Sequence, residues 1–117
     1  MSDAPVLVLI RADPETSHRA NEAVRIALGI LAGENAVVIA LLGPAAKILS
    51  GAVEDYVDGE DLLKHLGTLK RLGQPFHVET TAQPIGPAAN PAGLEIRPLD
   101  ADALARLVRD SRRVLVF

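Results

Sequence analysis

The polar side chains best placed to bind a ligand come directly after the apolar runs of the sequence. Arg11 follows the run Val6–Ile10, Gly43 follows a second run, and Thr80 begins the segment after a short third one. Open parallel sheets bind ligands outside the carboxyl ends of their strands, and the start of a helix adds free backbone N–H groups that favour anions. The residues that we expect at a small-anion site are Arg11, Thr16, Ser17, His18, Gly43, Thr80 and Thr81.

Arg11 also has an alternative that needs no ligand. Asp13 and Glu15 lie close to it in sequence, and either carboxylate would neutralise its charge. Neighbouring charges of opposite sign commonly form a solvated surface pair. We therefore keep two alternatives for Arg11, namely binding of an anion and a surface ion pair with Asp13 or Glu15.

No residue of this sequence is predicted to be catalytic. The chain contains no cysteine, which excludes disulfides, thiolate catalysis, persulfide transfer and thiolate metal ligands within the chain itself. The hydroxyls of Thr80 and Thr81 are not ionised near neutral pH, and no base that would activate them is near in sequence. A binding or structural role is therefore favoured over an enzymatic one.

Other patterns that resemble known sites lack their defining residues. The segment Gly43–Lys47, GPAAK, has neither the length nor the Gly-Lys-Ser/Thr ending of a phosphate-binding loop. His18, His65 and His77 lie on separate predicted elements without metal-ligand spacing. The acidic residues between positions 54 and 61 do not have the spacing of a calcium-binding loop. We therefore expect no metal and no cofactor, and we leave His77 as either a packing or surface residue or a pocket residue.

The composition is that of one globular domain. The 117 residues are 49% hydrophobic and carry a formal net charge of −3, so one core is feasible and two would each be marginal. The negative charge provides no basic surface for nucleic acid, and the first apolar run is too short for a signal peptide or a membrane span. We expect a single cytoplasmic domain over residues 1–117, with neither nucleic acid nor a membrane as partner.

The first half of the chain predicts a βαβ unit. The run Val6–Ile10 is continuously apolar, as in a parallel strand that is covered on both faces. The segment Asp13–Glu15 is typical of a helix start, and an apolar stripe at helical spacing then continues to Gly33. A second apolar strand, Ala36–Leu42, leads into a short helical turn, so we expect a right-handed crossover between the two strands.

The middle of the chain predicts a helix, a strand and a long connection. Leucines at helical spacing over Leu62–Leu72 indicate an amphipathic helix that ends at Gly73, and Phe76–Glu79 indicates a short third strand. Residues 80–93 contain several prolines and glycines, which disfavour a helix. Irregular connections of this length in small domains tend to be functional, covered in an oligomer or mobile, and the apolar residues of this one favour being covered.

The end of the chain predicts one more helix and one more strand. Asp100 opens the helix, with Leu104, Leu107 and Val108 on one side, and an apolar strand then runs to Phe117. The alternation as a whole predicts an α/β fold, a single three-layer α/β/α domain with a mostly parallel sheet of about five strands.

The order of these elements resembles the DsrE/DsrF-like family, which includes subunits of bacterial sulfur-relay complexes. The similarity lies in the Asp13-Pro14 turn, in VVIALLGPAAKIL, in LLKHLGTLKRLGQPFHV and in a final strand that stops at Phe117, so it covers nearly the whole chain. It implies α/β/α domains that assemble into trimers, hexamers or mixed oligomers. It also implies a persulfide carried on a cysteine after the third strand, whereas the corresponding loop here, Glu79–Ala82, contains none.

Our preferred hypothesis is a non-catalytic DsrE/DsrF-like subunit that acts in oligomer assembly or in binding a partner protein. The long connection and the apolar last strand motivate it. It predicts a homo-oligomer, trimer or hexamer, or a hetero-oligomer with a related subunit, and loss of assembly when residues 84–92 are deleted. One alternative is an accessory subunit of a sulfur-relay complex that docks on a cysteine-bearing partner. Another is a cysteine-independent sensor or enzyme for a small anion, with Arg11 and His18 as the pair to test.

Overall fold

A computed structural model describes residues 4–50, 53–81, 90 and 93–117. The elements are β1 (Val6–Ile10), α1 (Arg19–Ala32), β2 (Val37–Leu41), a first 3₁₀ helix (Gly43–Leu49), a second 3₁₀ helix (Val53–Asp55), α2 (Gly59–Arg71), β3 (Phe76–Glu79), β4 (Ile96–Leu99), α3 (Ala101–Asp110) and β5 (Arg113–Val116). None of the helices in these residues has both the length and the apolar character needed to cross a bilayer. The segment 84–92, whose deletion is predicted to prevent assembly, lies outside the described residues except for Asn90.

Five strands of the described chain form one sheet, which confirms the predicted α/β fold. All neighbouring pairs are parallel, in the order β4-β3-β2-β1-β5. In this register Leu9 of β1 lies between Ala40 of β2 and Val116 of β5. The chain steps from β1 through β2 and β3 to β4, and then returns across the sheet to β5 on the other side of β1. The strand order therefore reverses between β1 and β5, and open α/β sheets bind ligands at such a reversal.

Helices α1 and α2 cover one face of the sheet and bury most of the core. Alternate residues of a strand point to opposite faces, and Ile10, Ile39 and Phe76 are fully buried on this one. Helix α1 contributes small residues such as Ala23 and Ala27, which are also fully buried and allow the helix to lie close to the strands. The residues that α2 contributes are Leu62, Leu66 and Leu69. This packing fixes the carboxyl ends of β1, β2 and β3 relative to one another.

Helix α3 covers the opposite face less completely. Asp100 caps the helix as predicted, because its Oδ1 accepts a hydrogen bond from the Ala103 N–H at 2.7 Å. Leu104 and Leu107 pack against the sheet as predicted, whereas Val108 is 43% exposed. Val108 follows Leu104 by one turn and is offset from it by about 40° around the helix axis, so it lies on the predicted side of the helix but at the exposed margin of that side. No residue of α3 is fully buried.

Helix α1 begins at Arg19, so the helix start predicted at Asp13–Glu15 is wrong. The Asp13 carboxylate accepts a hydrogen bond from the Glu15 N–H at 2.9 Å, and the Asp13 carbonyl accepts one from the Ser17 N–H at 2.9 Å. The side chain of Asp13 thus satisfies the backbone locally and closes a turn. The Ser17 hydroxyl then accepts a hydrogen bond from the Arg19 N–H at 3.1 Å, where the helix begins.

Candidate functional site

A cleft of about 730 Å³ opens beyond the carboxyl ends of β1 and β5, where the strand order reverses. Its lining residues are Arg11, Ala12, Arg19, Leu42, Gly43, Pro44, Glu79, Val116 and Phe117. Two backbone hydrogen bonds join the chain segments at the base of the cleft. The Arg11 N–H donates to the main-chain oxygen of Phe117 at 2.7 Å, and the Leu42 N–H donates to the Ile10 carbonyl at 2.9 Å. The cleft therefore combines the side chains of two arginines and of Glu79 with apolar walls.

The carboxylates of Asp13 and Glu15 do not pair with Arg11. The Lys47 ammonium forms an ion pair with each of these carboxylates, lying 3.1 Å from Asp13 Oδ2 and 3.5 Å from Glu15 Oε1. Within the described residues neither Arg11 nor Arg19 has an ion-pair partner. The surface pair considered for Arg11 is thus replaced by one that involves Lys47, and both guanidinium groups are open to a ligand.

The pair between Lys47 and Asp13 changes the pKa of both groups. Burial by itself raises the pKa of Asp13, but the Glu15 N–H and the Lys47 ammonium together outweigh burial and lower it. The hydrogen bond to Asp13 raises the pKa of Lys47 despite a partial loss of hydration. Both groups are therefore charged at neutral pH, which holds Asp13 in the pair with Lys47 rather than with Arg11.

Glu79 is the carboxylate of the cleft. Its Oε1 accepts a hydrogen bond from the Gly43 N–H at 3.1 Å, which joins the end of β3 to the first 3₁₀ helix. Gly43 has a φ of 55°, in the left-handed region that glycine adopts without the steric cost of a side chain. A ligand in this cleft would meet positive charge at the arginines and a hydrogen-bond acceptor at Glu79. The arrangement favours binding of a small anion that also carries a donor group.

Two of the predicted site residues lie together in the cleft, namely Arg11 and Gly43. Thr80 and Thr81 follow β3 as expected, but both are exposed and neither is among the lining residues. The Thr80 N–H instead donates to the carbonyl of Leu99 at 3.0 Å and extends the pairing of β3 with β4. Their hydroxyl groups therefore make no part of this site.

The segment from Thr16 to His18 lies beside the cleft without lining it. The Ser17 hydroxyl is engaged by the Arg19 N–H. His18 is exposed, and its Nε2 lies 3.7 Å from Glu22 Oε1. Arg19, rather than His18, is the residue of this region that reaches the cleft with Arg11.

Sequence reasoning missed Arg19 and Glu79 as site residues, together with the apolar wall of Val116 and Phe117. Glu79 carried a usable signal, because it ends a predicted parallel strand and strand ends meet at one edge of a sheet. Arg19 was missed because the helix start predicted at Asp13–Glu15 placed it within the helix, whereas it is the first helical residue. The wall from β5 required the strand order, since only pairing with β1 brings Phe117 beside Arg11.

His77 lies outside the cleft, on the α3 face of β3. Its half-buried ring lines a shallow groove of about 420 Å³ with Arg97, Leu99 and Leu107. The Nδ1 atom is buried and has no hydrogen-bond partner among the described residues. Burial, reinforced by the charge of Arg97, lowers the pKa of His77 and outweighs the opposing effects of the Ile39 backbone and of Glu95, so the ring is neutral at neutral pH. His77 is thus both partly packed and part of a groove.

The remaining sequence patterns form no ligand site in the described chain. The segment Gly43–Lys47 lies in the first 3₁₀ helix, and the Lys47 ammonium is engaged by carboxylates rather than free to meet a phosphate. Over the ranges that the structure describes, no three His, Cys, Asp or Glu side chains converge as a metal site requires. The cleft at the strand ends therefore remains the candidate site.

Comparison with known proteins identifies the family of the sequence and a solved structure with a similar fold. A family model described as the DsrE/DsrF-like family matches residues 4–117. The structure is similar to the crystal structure of the ychN protein from E. coli, with a TM-score of 0.74 and 15% sequence identity over 97% of this chain and 99% of that one. At this identity the likeness concerns the fold alone. A comparison with curated proteins found no match.

Proposed function

Because the chain belongs to the DsrE/DsrF-like family, we propose that it is a non-catalytic member that acts by assembling with other subunits. The family match confirms the resemblance seen in the sequence. The absence of cysteine leaves this chain without a thiolate that could carry sulfur. Its contribution is therefore a binding surface.

The observation that carries this proposal is the incomplete cover of β5. The strand lies at the edge of the sheet, with β1 on one side and no other strand of the described chain on its outer side. Val116 is 54% exposed on the α3 face, and Leu115 is only half-buried on the α1 face. An edge strand with apolar side chains on both faces and unpaired backbone groups is a template for association.

Size-exclusion chromatography with light scattering tests the proposal. We expect the wild-type protein to be an oligomer and Val116→Lys to shift it towards the monomer, because a charge would be placed in the interface. Leu72→Lys is the matched control, since Leu72 is a comparably exposed apolar residue, at 61%, beyond the end of α2. A wild-type monomer at micromolar concentration, or equal effects of the two substitutions, would contradict the proposal.

The identity of the other subunit separates a homo-oligomer from the accessory subunit of a sulfur-relay complex. A self-assembling chain purifies as one species whose mass is a multiple of its own. An accessory subunit instead co-purifies from its native source with a homologue that contains cysteine. Mass spectrometry of the intact complex distinguishes these two cases directly.

Binding of a small anion in the cleft is a second candidate function, favoured by the two unpaired guanidinium groups of Arg11 and Arg19. Inorganic phosphate and acetate are suitable probes, with chemical-shift changes as the readout. We expect the double variant Arg11→Ala, Arg19→Ala to abolish shifts at Gly43, and Arg109→Ala, an exposed control on α3, to preserve them. Unchanged shifts in the double variant would remove this candidate.

A further inference from the structure

A groove of about 570 Å³ lies beside β5 on the α1 face of the sheet. Its walls are apolar, with Ile26 and Ile30 from α1 and Leu115 from β5. The groove exists because α1 packs over β1 and β2 and leaves the edge strand uncovered. Arg112 and Arg113 are also among the lining residues, and none of the described residues that line it carries a carboxylate.

The two arginines leave the groove positively charged. Arg112 Nη2 donates to Asn35 Oδ1 at 2.8 Å, and this neutral acceptor does not balance the charge. Arg113 is exposed and makes no ion pair with any residue that the structure describes. Apolar walls beside two guanidinium groups fit an apolar side chain that is flanked by carboxylates.

The same chain carries such a segment elsewhere, between the second 3₁₀ helix and the first turn of α2. Val57 lies at its centre and is 37% exposed although it is apolar. Its position is fixed, because the Val57 N–H donates to the Pro14 carbonyl at 3.2 Å. The carboxylates around it are all exposed, and none of them pairs with a cation in the described chain; they are Asp55, Asp58, Glu60 and Asp61. We name residues 55–61 the acidic segment.

The groove and the acidic segment lie at opposite ends of the sheet. The groove includes Val6 and Arg113, the first residues of β1 and β5. The acidic segment is hydrogen-bonded to Pro14, which lies four residues beyond Ile10, the last residue of β1. The two surfaces of one chain therefore cannot meet each other, but those of two copies can.

We propose that the acidic segment of one copy docks in the β5 groove of the next, with Val57 between the apolar walls and its carboxylates at Arg112 and Arg113. The inference rests on the proposed function of assembly and adds a contact on the α1 face of β5 to the one expected at Val116 on its α3 face. Since the two surfaces differ, the contact is head to tail, and it closes into a ring when the rotation between copies allows.

Charge reversal tests this pairing. Arg112→Glu with Arg113→Glu, or Asp55→Arg with Glu60→Arg, should each weaken self-association by about a hundredfold, because like charges would then face each other. An equimolar mixture of the two double variants should recover association between unlike copies, detected as mixed dimers, since every contact across unlike copies again joins opposite charges. Arg106→Glu with Arg109→Glu on α3 makes the same change in net charge on another surface and should leave assembly unchanged.

A cross-link gives a second measurement that does not depend on the reversed charges. Because the chain has no cysteine of its own, Val57→Cys and Ile30→Cys can be prepared separately, mixed and oxidised. The mixed disulfide should form in preference to either homodimer. An oligomeric wild type with neither the reversal effect nor the mixed disulfide overturns this pairing and leaves the assembly function standing. A monomeric wild type overturns both.

Discussion

Replacing His77 with phenylalanine is expected to stabilise the fold. His77 Nδ1 is buried without a hydrogen-bond partner in the described chain, and the ring lies beside Leu99 and Leu107. A buried polar atom that loses water without gaining a partner costs about 1–3 kcal/mol. Because the ring is only half-buried, we expect the lower end of this range, about 1 kcal/mol, or about 4 °C in melting temperature for a domain of this size.

The stabilisation should also depend on pH. The pKa of His77 is lowered from its ordinary value of 6.5 in the folded protein, so below that pH the unfolded chain binds a proton that the folded chain does not. The His77 contribution to the free energy of unfolding therefore decreases as the pH falls from 6.5 towards the lower folded pKa. His77→Phe removes this contribution, so its advantage over the wild type should be larger at pH 5 than at pH 8.

Urea denaturation at both pH values measures these differences. His65→Phe is the control, because His65 Nδ1 lies 3.0 Å from Oδ1 of the buried Asn21. Removing that ring leaves the Asn21 amide without this partner, and we expect a loss of about 1 kcal/mol. The reasoning is refuted if His77→Phe destabilises the protein as much as His65→Phe does, or if its effect is the same at both pH values.

Three further predictions concern the elements that position the cleft and α3. Asp100→Ala should lower the free energy of unfolding by about 1 kcal/mol in urea denaturation, because the Ala103 N–H loses its cap; no change would mean that the cap is dispensable. Gly43→Ala should cost about 1 kcal/mol in the same assay despite open space around a Cβ, since φ is 55°; a neutral result would show that the backbone relaxes. Lys47→Met should raise the pKa of Asp13, followed by NMR titration, so that the stability lost on acidification is lost at a higher pH; an unchanged pKa would contradict the ion pair.

Most of the fold could be predicted because strands and helices differ in their apolar period. Val6–Ile10 and Phe76–Glu79 are strands with the predicted bounds, since runs of this length between polar or proline-containing turns are too short for a helix. The start of α1 could not be predicted in this way. Asp13 satisfies either a helix cap or a local turn, and the sequence does not show which hydrogen bonds the backbone of Ser17 will make.

The site residues that could be predicted are those whose position depends on one strand alone. Arg11 and Gly43 follow the strands that position them, and the rule for parallel sheets places both at the same edge. The contribution of β5 depends on a return across the sheet, which is a long-range choice without a local signal. The pairing of Lys47 with Asp13 is likewise long-range, and it decides whether Arg11 is neutralised.

Assembly is the central claim, and native mass spectrometry of the gently purified protein tests it most directly. We predict a trimer or a hexamer of this chain, or a defined complex with a related subunit, that persists at micromolar concentration. A monomer with no protein partner would contradict the account, and a small anion retained in stoichiometric amount by that monomer would make the cleft at Arg11 and Arg19 the functional site instead.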